Sequence, residues 1–241
     1  MKIIDATWEK RNLGVAAVEI DLDTSDTVAD LESIRDLDCE YSVARVPTGC
    51  VELMFELEDM GYRYIETMLS IQHDLKNIGM SLNSVAKRVM DCITYAEMSE
   101  VELIELRIQL KSGIISTDRV FLDPAFCLYK SANRYIGWIS DILAQGGRAY
   151  KSVLGEKVFG FFVSGIDVHR VNHVYILGTY KDYENAGLGV CLINASIRQA
   201  YEFEATKSVS DISTNNISAI KANLAAGYQI TSARYIYVRH N

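Results

Sequence analysis

The sequence predicts an α/β fold in which a smaller α/β domain precedes a larger one. Three observations support this prediction. Apolar and polar residues alternate over several short segments of the first half, a pattern typical of β-strands. The segment 173–198 starts with β-branched and aromatic residues, passes through a glycine turn and continues as a helix. Two further strand-like segments, with a helical segment between them, complete the chain.

The smaller domain is predicted over residues 1–90. One of its two helices begins at Asp26, and the other covers 51–60 and ends at Gly61, a residue type that often follows a helix. Residues 76–87 are expected to link this domain to the next. The strands of this half are predicted over 1–5, 15–22, 41–46 and 63–72.

The larger domain is predicted over residues 91–241. Its first helix should present an apolar face, and residues 119–124 are expected to form a turn. A long helix over 128–145 then precedes a hairpin around Gly155. The apolar face of the first helix is predicted to hold Val101, Ile104, Leu106, Ile108 and Leu110. The strands are predicted over 93–97, 149–154, 157–166, from 173 to the glycine turn, 207–213 and 228–239.

Two glycines at the start of the last long helix predict a phosphate-binding turn. Gly187 and Gly189 let the backbone approach an anion without an intervening Cβ, and the first N–H groups of a helix lack intrahelical partners. The helix dipole adds a partial positive charge at the same place. A Rossmann dinucleotide site would need a small residue where Leu192 stands, so that class is excluded. A purely structural turn is the alternative.

Two longer patterns resemble motifs of the GCN5-related N-acetyltransferase family. Leu-Gly-Thr at 177–179, followed after seven residues by Gly-Leu-Gly at 187–189, is similar to motif A of that family. Val-Ser-Asp at 209–211, then Asn216 and Gly-Tyr at 227–228, is similar to motif B. The resemblance implies an acyl-CoA acyltransferase fold, with a mixed and mostly antiparallel sheet flanked by helices.

Within this family, the chain is similar to dTDP-fucosamine acetyltransferase-like enzymes, which carry a smaller domain in front. The resemblance implies an enzyme that transfers an acetyl group from acetyl-CoA to a primary amine, with an amino sugar on a nucleotide as one acceptor. Two alternatives stay open: a catalytically degenerate module that binds acyl-CoA, and a protein-interaction module. The similar residues are Trp8, 11–14, 46–47, 61–67, 119–124 and 134–139.

The resemblance also implies where acetyl-CoA binds. Its pantetheine arm would hydrogen-bond the strand backbone at Leu177 and Thr179, and Gly178 between them would keep side-chain bulk away from the arm. Asn216 and Asn223 from the motif B region are assigned to the cofactor as well. The residues expected to wrap the pyrophosphate are Asn185, Ala186, Gly187, Leu188, Gly189 and Val190.

His173 and Tyr175 are the candidate catalytic residues. The resemblance places a base four residues before Leu177, and His173 stands there. A neutral imidazole can accept the proton of an ammonium group, directly or through water. Tyr175 shares the strand face of His173 and is expected to help place the amine. Asp167 and His169, in the preceding turn, are expected to be solvated.

Two positions depart from the family's pattern. Glu184 stands where the family prefers Gln or Arg, and a carboxylate repels a pyrophosphate at close range, although Lys181 nearby can compensate in part. Asn223 stands where the family often has a tyrosine that protonates the departing thiolate. Water, Tyr235 and Tyr237 stay open as alternatives for that acid.

Composition excludes several other functions. A net charge of −8 argues against nucleic acid or an anionic membrane as the main partner. The sequence shows no signal peptide and no apolar run near the ~20 residues of a spanning helix, so we expect a cytoplasmic protein. The five cysteines are scattered and are expected to be free thiols, without a metal site. A homodimer is left open.

Overall fold

The computed structural model describes residues 1–77 and 91–241. The predicted linker over 76–87 therefore lies, from residue 78 on, outside the described residues. The strands are β1 (Lys2–Asp5), β2 (Ala17–Asp21), β3 (Tyr41–Pro47), β4 (Arg63–Asp74), β5 (Ile93–Glu97), β6 (Arg148–Leu154), β7 (Lys157–Ile166), β8 (Val171–Thr179), β9 (Lys207–Ser213) and β10 (Gln229–His240).

The helices follow the strands closely in the chain. They are α1 (Thr7–Leu13), α2 (Val28–Leu31), α3 (Val51–Asp59), α4 (Glu100–Lys111), α5 (Arg119–Leu122), α6 (Leu128–Ala144), α7 (Gly189–Glu202) and α8 (Ile217–Ala225). Short 3-10 segments cover Glu32–Ile34, Leu75–Asn77 and Lys181–Tyr183. Among the described residues, no helix is both long and apolar enough to cross a membrane.

One sheet of ten strands runs through the described parts of both halves, in the order β1-β2-β3-β10-β4-β9-β8-β7-β6-β5. Most neighbours are antiparallel, whereas β2 with β3 and β8 with β9 are parallel. The predicted α/β class with a mixed, mostly antiparallel sheet is confirmed. The division at residue 90 stays a prediction, since β10, the last strand, lies between β3 and β4 of the first half.

Helices cover both faces of the sheet. Along β10, Ile236 and Val238 pack with the buried residues of α1 and α5, whereas Tyr237 between them packs with those of α2 and α3. Along β7, Phe161 packs with α4 and α6, and Phe162 packs with α7. Since α1 also packs on α6, we call the side of α1, α4, α5 and α6 the first face. The side of α2, α3, α7 and α8 is the second face.

Three local predictions differ from the structure. Residues of α1, for which no helix is predicted, form one that ends at Gly14 with a left-handed φ of 73°. The predicted turn at 119–124 contains the short helix α5, because the Asp118 side chain accepts a hydrogen bond from the N–H of Phe121 and begins it. On α4, Leu106 and Leu110 are buried as predicted. Val101, Ile104 and Ile108 project from the opposite side and are exposed.

Candidate functional site

Two neighbouring parallel strands, β8 and β9, separate from each other in the middle of the sheet. Within the described residues they pair only between Val171–His173 and Lys207–Val209. Beyond this junction, β8 continues to Thr179 and β9 to Ser213. At the junction the Ser210 hydroxyl donates to the carbonyl oxygen of Val174 at 2.7 Å. The separation leaves a gap whose two edges carry backbone groups that a ligand can bind.

The register between β7 and β8 decides which backbone groups face this gap. The N–H of Tyr180 donates to the carbonyl oxygen of Phe159 at 2.9 Å, and in an antiparallel ladder every second residue repeats that pattern. Leu177 and Thr179 are the alternate residues, so their N–H and C=O groups point toward β9. An extended ligand can hydrogen-bond them as an added strand does.

Gly178 lies between these two residues and faces β7. A Cβ added at Gly178 would lie 3.2 Å from Cε1 of Phe161, which is closer than ordinary packing allows. The glycine therefore serves packing against the Phe161 ring. Its role in keeping side-chain bulk away from a ligand arm stays a prediction.

A β-bulge interrupts β8 next to the junction. Val163 lies opposite Ile176 and Ser164 lies opposite Val174, so Tyr175 is the extra residue. The rings of His173 and Tyr175 stack, with their centroids 6.0 Å apart and their planes at 16°. Burial raises the pKa of Tyr175, so its hydroxyl stays protonated in neutral solution. The structure thus brings the two candidate catalytic side chains together at the closed end of the gap.

His173 also has a partner in Asp167, a residue of the preceding turn that the sequence predicts to be solvated. Its Nε2 lies 3.0 Å from Oδ2 of Asp167. The hydrogen bond from His173, with further ones from the backbone N–H groups of Val171 and His169, lowers the pKa of Asp167 to about 2. The carboxylate therefore stays ionised and accepts from Nε2–H, which leaves the lone pair of a neutral imidazole on Nδ1. Asp167 keeps about a third of its side chain exposed, as the sequence predicts, and the hairpin between β7 and β8 also brings His173 to it.

The turn between β8 and α7, residues 185–190, forms a cradle of backbone N–H groups. Asn185 and Gly187 adopt left-handed φ values of 61° and 73°. No side chain of the described residues caps the start of α7, so the first N–H groups of this helix are available to an anion. A Cβ added at Gly187 would meet no atom within 4 Å, whereas at Gly189 it would lie 3.5 Å from Cβ of Ala222 on α8. Gly187 borders open space, and a Cβ at Gly189 would make only an ordinary contact with α8.

Four polar side chains near the cradle are already engaged. Nζ of Lys181 lies 3.4 Å from Oε2 of Glu184, an exposed pair that partly neutralises the carboxylate. Asn216 begins α8, since its side chain accepts from the N–H of Ala219 at 3.0 Å. The amide of Asn223 donates to the carbonyl oxygen of Ala219 at 2.9 Å. Contacts of Asn216 and Asn223 with a cofactor stay predictions.

These features open into one cleft of about 1720 Å³ that is lined from both faces of the sheet. The cradle and α8 line it on the second face, and α1, α5 and α6 line it on the first. The gap between β8 and β9 connects the two. All residues that the sequence analysis assigns to the site line this cleft: His173, Tyr175, Leu177, Gly178, Thr179, Asn185, Ala186, Gly187, Leu188, Gly189, Val190, Asn216 and Asn223.

A cluster of buried charged side chains forms the wall of the cleft on the first face. Nη2 of Arg119 lies 2.9 Å from Oε1 of Glu19, and Nε of Arg134 lies 2.7 Å from Oε1 of Glu9. Asp118 lies 3.6 Å from Arg134. We call Glu9, Glu19, Glu66 and Asp118 the carboxylate wall. No motif in the sequence predicts this wall; the signal for it is the presence of charged residues such as Arg134 inside an otherwise apolar helix pattern.

Glu66, on β4, is the least compensated member of the carboxylate wall. Its residue is 1% exposed, and neither carboxylate oxygen has a hydrogen-bond partner within residues 1–77 and 91–241. Burial raises the pKa of Glu66, and the nearby Ser213 hydroxyl, Arg119 and Arg134 offset that effect only in part. An unpaired buried carboxylate is costly, so this position is unlike an ordinary core site.

The two tyrosines considered as the general acid lie away from the cleft. Tyr237 donates to Glu58 at 3.1 Å and packs on the second face with α2 and α3, and Tyr235 packs against the same cluster. Both are on β10, whose alternate residues Arg234 and Ile236 line the cleft instead. The described tyrosines that line the cleft are Tyr135, Tyr175, Tyr183 and Tyr228.

Neither a protein-family model nor a curated protein sequence matches the chain. Solved structures match its fold. A GCN5-related N-acetyltransferase from Sphaerobacter thermophilus matches with a TM-score of 0.58 and 10% identity over 83% of this chain, which spans 59% of that protein. One from Kribbella flavida matches with a TM-score of 0.57 and 14% identity, over 92% of this chain and 80% of its own.

A protein of unknown function from Staphylococcus epidermidis matches with a TM-score of 0.60 and 10% identity, over 93% of this chain and 84% of its own. At these identities the comparisons establish the fold. The chain has the fold of the GCN5-related N-acetyltransferases, as its motifs predict. The proteins from Sphaerobacter thermophilus and Kribbella flavida are both described as N-acetyltransferases.

The cradle can be tested at Gly187. We expect Gly187→Asp to abolish the thermal stabilisation of the protein by coenzyme A, because a carboxylate would repel the phosphates. The measurement is the shift in Tm on adding coenzyme A. Gly155→Asp is the matched control, since Gly155 also has a left-handed φ, 63°, and open space around it. A wild-type shift in Gly187→Asp would show that the cradle does not bind phosphate.

The burial of Glu66 predicts a dependence of stability on pH. Because its pKa is raised in the folded state, stability present at low pH is lost as pH rises through that pKa. The loss is about 1.4 kcal/mol for each pH unit between the unfolded-state and folded-state pKa values. Glu66→Gln removes the titration, so its Tm should rise relative to wild type as pH goes from acidic to neutral.

Glu97→Gln is the control for this measurement. Glu97 forms an exposed ion pair with Arg148, so its replacement should change the pH dependence of Tm little. A difference in Tm between Glu66→Gln and wild type that stays constant with pH would contradict the assignment of a raised pKa to Glu66.

Proposed function

We propose that the protein is an acyl-CoA-dependent N-acyltransferase that transfers an acetyl group from acetyl-CoA to a primary amine. The observation that carries this proposal is the gap between β8 and β9 with the cradle at its open end. The gap offers the backbone of Leu177 and Thr179 to an extended amide-bearing arm, and the cradle offers N–H groups to a pyrophosphate. Coenzyme A contains both parts in that order.

The cleft also indicates from which side each of the two substrates would enter. A donor held between the cradle and the gap would place its thioester near the bulge at Tyr175, and the amine would enter from the first face. The amine nitrogen attacks the thioester carbonyl carbon, the carbon–sulfur bond breaks, and coenzyme A leaves as the thiolate. Nδ1 of His173 accepts the proton that the amine loses, while Asp167 holds the imidazole in the required tautomer. Tyr175, stacked on His173, would help to orient the amine.

The acceptor can be narrowed by the resemblance of the first half to dTDP-fucosamine acetyltransferase-like enzymes. It implies an amino sugar carried on a nucleotide, and we keep this as one candidate acceptor. Residues of that half, including Trp8 and Glu19, line the cleft on the first face. Arg45 and Arg234 line it as well, but both are paired with carboxylates, Arg45 with Glu19 and Asp21 and Arg234 with Asp21.

A catalytically degenerate protein that binds acyl-CoA, or uses this fold for protein interaction, is the second candidate function. The observations that favour it are the carboxylate of Glu184 beside the cradle and the amide of Asn223, which is bound within its own helix. Neither side chain can donate the proton that an acid would supply to the thiolate. In that case the protein would bind coenzyme A without turnover.

Release of free thiol from acetyl-CoA distinguishes the two functions. We expect thiol release that depends on an added amine, with the acetylated amine identified by mass spectrometry. The panel should include simple monoamines, diamines, amino sugars and nucleotide-linked amino sugars. Stabilisation by coenzyme A without thiol release for any amine would overturn the enzyme proposal and support the degenerate module.

The pairing of His173 with Asp167 makes a second test. His173→Ala should lower kcat by roughly 10- to 1000-fold, the range expected on removal of a general base. Asp167→Asn should also lower kcat, because an amide can donate to Nε2 and move the imidazole proton to Nδ1. A wild-type kcat in His173→Ala would remove this residue from the mechanism.

A further inference from the structure

The carboxylate wall contains more negative than positive charge. Four carboxylates, those of Glu9, Glu19, Glu66 and Asp118, face the guanidinium groups of Arg119 and Arg134, and Arg45 reaches Glu19 from the other side. With all of them ionised, the wall lacks one cation.

In the part of the chain that the structure describes, Glu66 is the carboxylate of the wall that lacks a positively charged partner. The other members of the wall each contact at least one arginine, whereas Glu66 has no ion pair within the described residues, and the neighbouring Ser213 hydroxyl can supply a neutral donor but no charge. Its side chain nevertheless lines the cleft. One further oxygen of Glu9 and one of Asp118 also lack hydrogen-bond donors. An unpaired buried carboxylate at the wall of a cleft is satisfied when a ligand supplies the donor and the charge.

An organic cation fits this position better than a metal ion. Among the described residues, no group of three or more potential metal ligands is arranged to hold a metal. An ammonium group carries one positive charge and three N–H donors, which match carboxylate oxygens without requiring a coordination shell.

The cation at Glu66 is distinct from the reacting amine. Glu66 lies on β4, which is separated from β8 by β9, so two strand spacings of roughly 4.8 Å separate their backbones. The register adds to this distance. Gln72 lies opposite Val209, which pairs with His173, and Glu66 is six residues farther along β4. A group at Glu66 is therefore more than about 10 Å from an amine at His173.

We propose that Glu66 binds a second cationic group of the acceptor, and that the acceptor class is an extended diamine or polyamine. This inference rests on the proposed function, because it assigns the reacting amine to the bulge on β8. The first amine would meet His173 and the thioester, while the second, still protonated, would pair with Glu66. The carboxylate wall would exclude acceptors that place an anion there.

Binding measured without acetyl-CoA tests this proposal directly. The probes are α,ω-diamines of increasing length, each paired with the monoamine in which a methyl group replaces one ammonium, and affinities are measured by isothermal titration calorimetry. We expect the full-length wild-type protein to bind the long diamines at least 10-fold more tightly than their monoamines. Short diamines should show no such preference. Equal affinities at every length would overturn the proposal, and this measurement needs no variant.

Variants then locate the second cation. Glu66→Gln should reduce the preference for a long diamine to less than twofold. Asp141→Asn is the matched control, because Asp141 lines the same cleft but is already paired with Arg11, and it should keep the wild-type preference. A preference that persists in Glu66→Gln would overturn the assignment, as would a nucleotide-linked amino sugar that binds the wild type more tightly than any diamine.

The calorimetric result is independent of catalysis. A protein that binds long diamines through Glu66 but releases no thiol with any amine would keep this inference and lose the proposed acetyl transfer. A protein that releases thiol equally well with diamines and monoamines, and binds them equally, would keep the proposed function and lose this inference.

Discussion

The separation of β8 from β9 is the constraint on which the rest of the site depends. Strands inside a sheet normally pair along their whole length, because unpaired backbone groups are costly when buried. Here pairing stops after His173, and the Ser210 hydroxyl satisfies the carbonyl of Val174 at that point. The helices that follow the two strands, α7 and α8, pack on each other. The gap is therefore built into the packing of the core.

The gap connects two surfaces of opposite electrostatic character. On the second face, backbone N–H groups and the start of α7 present partial positive charge, which suits phosphates. On the first face, the carboxylate wall presents an excess of negative charge, which suits cations. An anionic donor and a cationic acceptor would each be attracted to a different face, and they would meet in the gap. The bulge at Tyr175 lies where the two faces come together.

The carboxylate wall exists only because the two halves share one sheet. Glu66 on β4 lies between β10 and β9, both of which come from the second half. Glu9 and Glu19 come from the first half and are held by Arg134 and Arg119 of the second. Each half supplies charges that the other neutralises. The wall of the cleft is therefore complete only when the strands of both halves are paired in one sheet. The division into two domains is thus not a division of the site.

The sequence by itself determined the strand, glycine turn and helix around residues 173–198, because those features depend on local interactions. A left-handed φ at Gly187 and unpaired N–H groups at the start of α7 need no distant partner. Tertiary structure alone decided the partner of His173 and the buried position of Glu66, which is unpaired among the described residues. The hairpin register between β7 and β8 sets Asp167 against His173. The pairing of β4 with strands more than 100 residues away sets Glu66 against Arg119. Strand register is fixed by packing across the whole sheet, so no local pattern contains it.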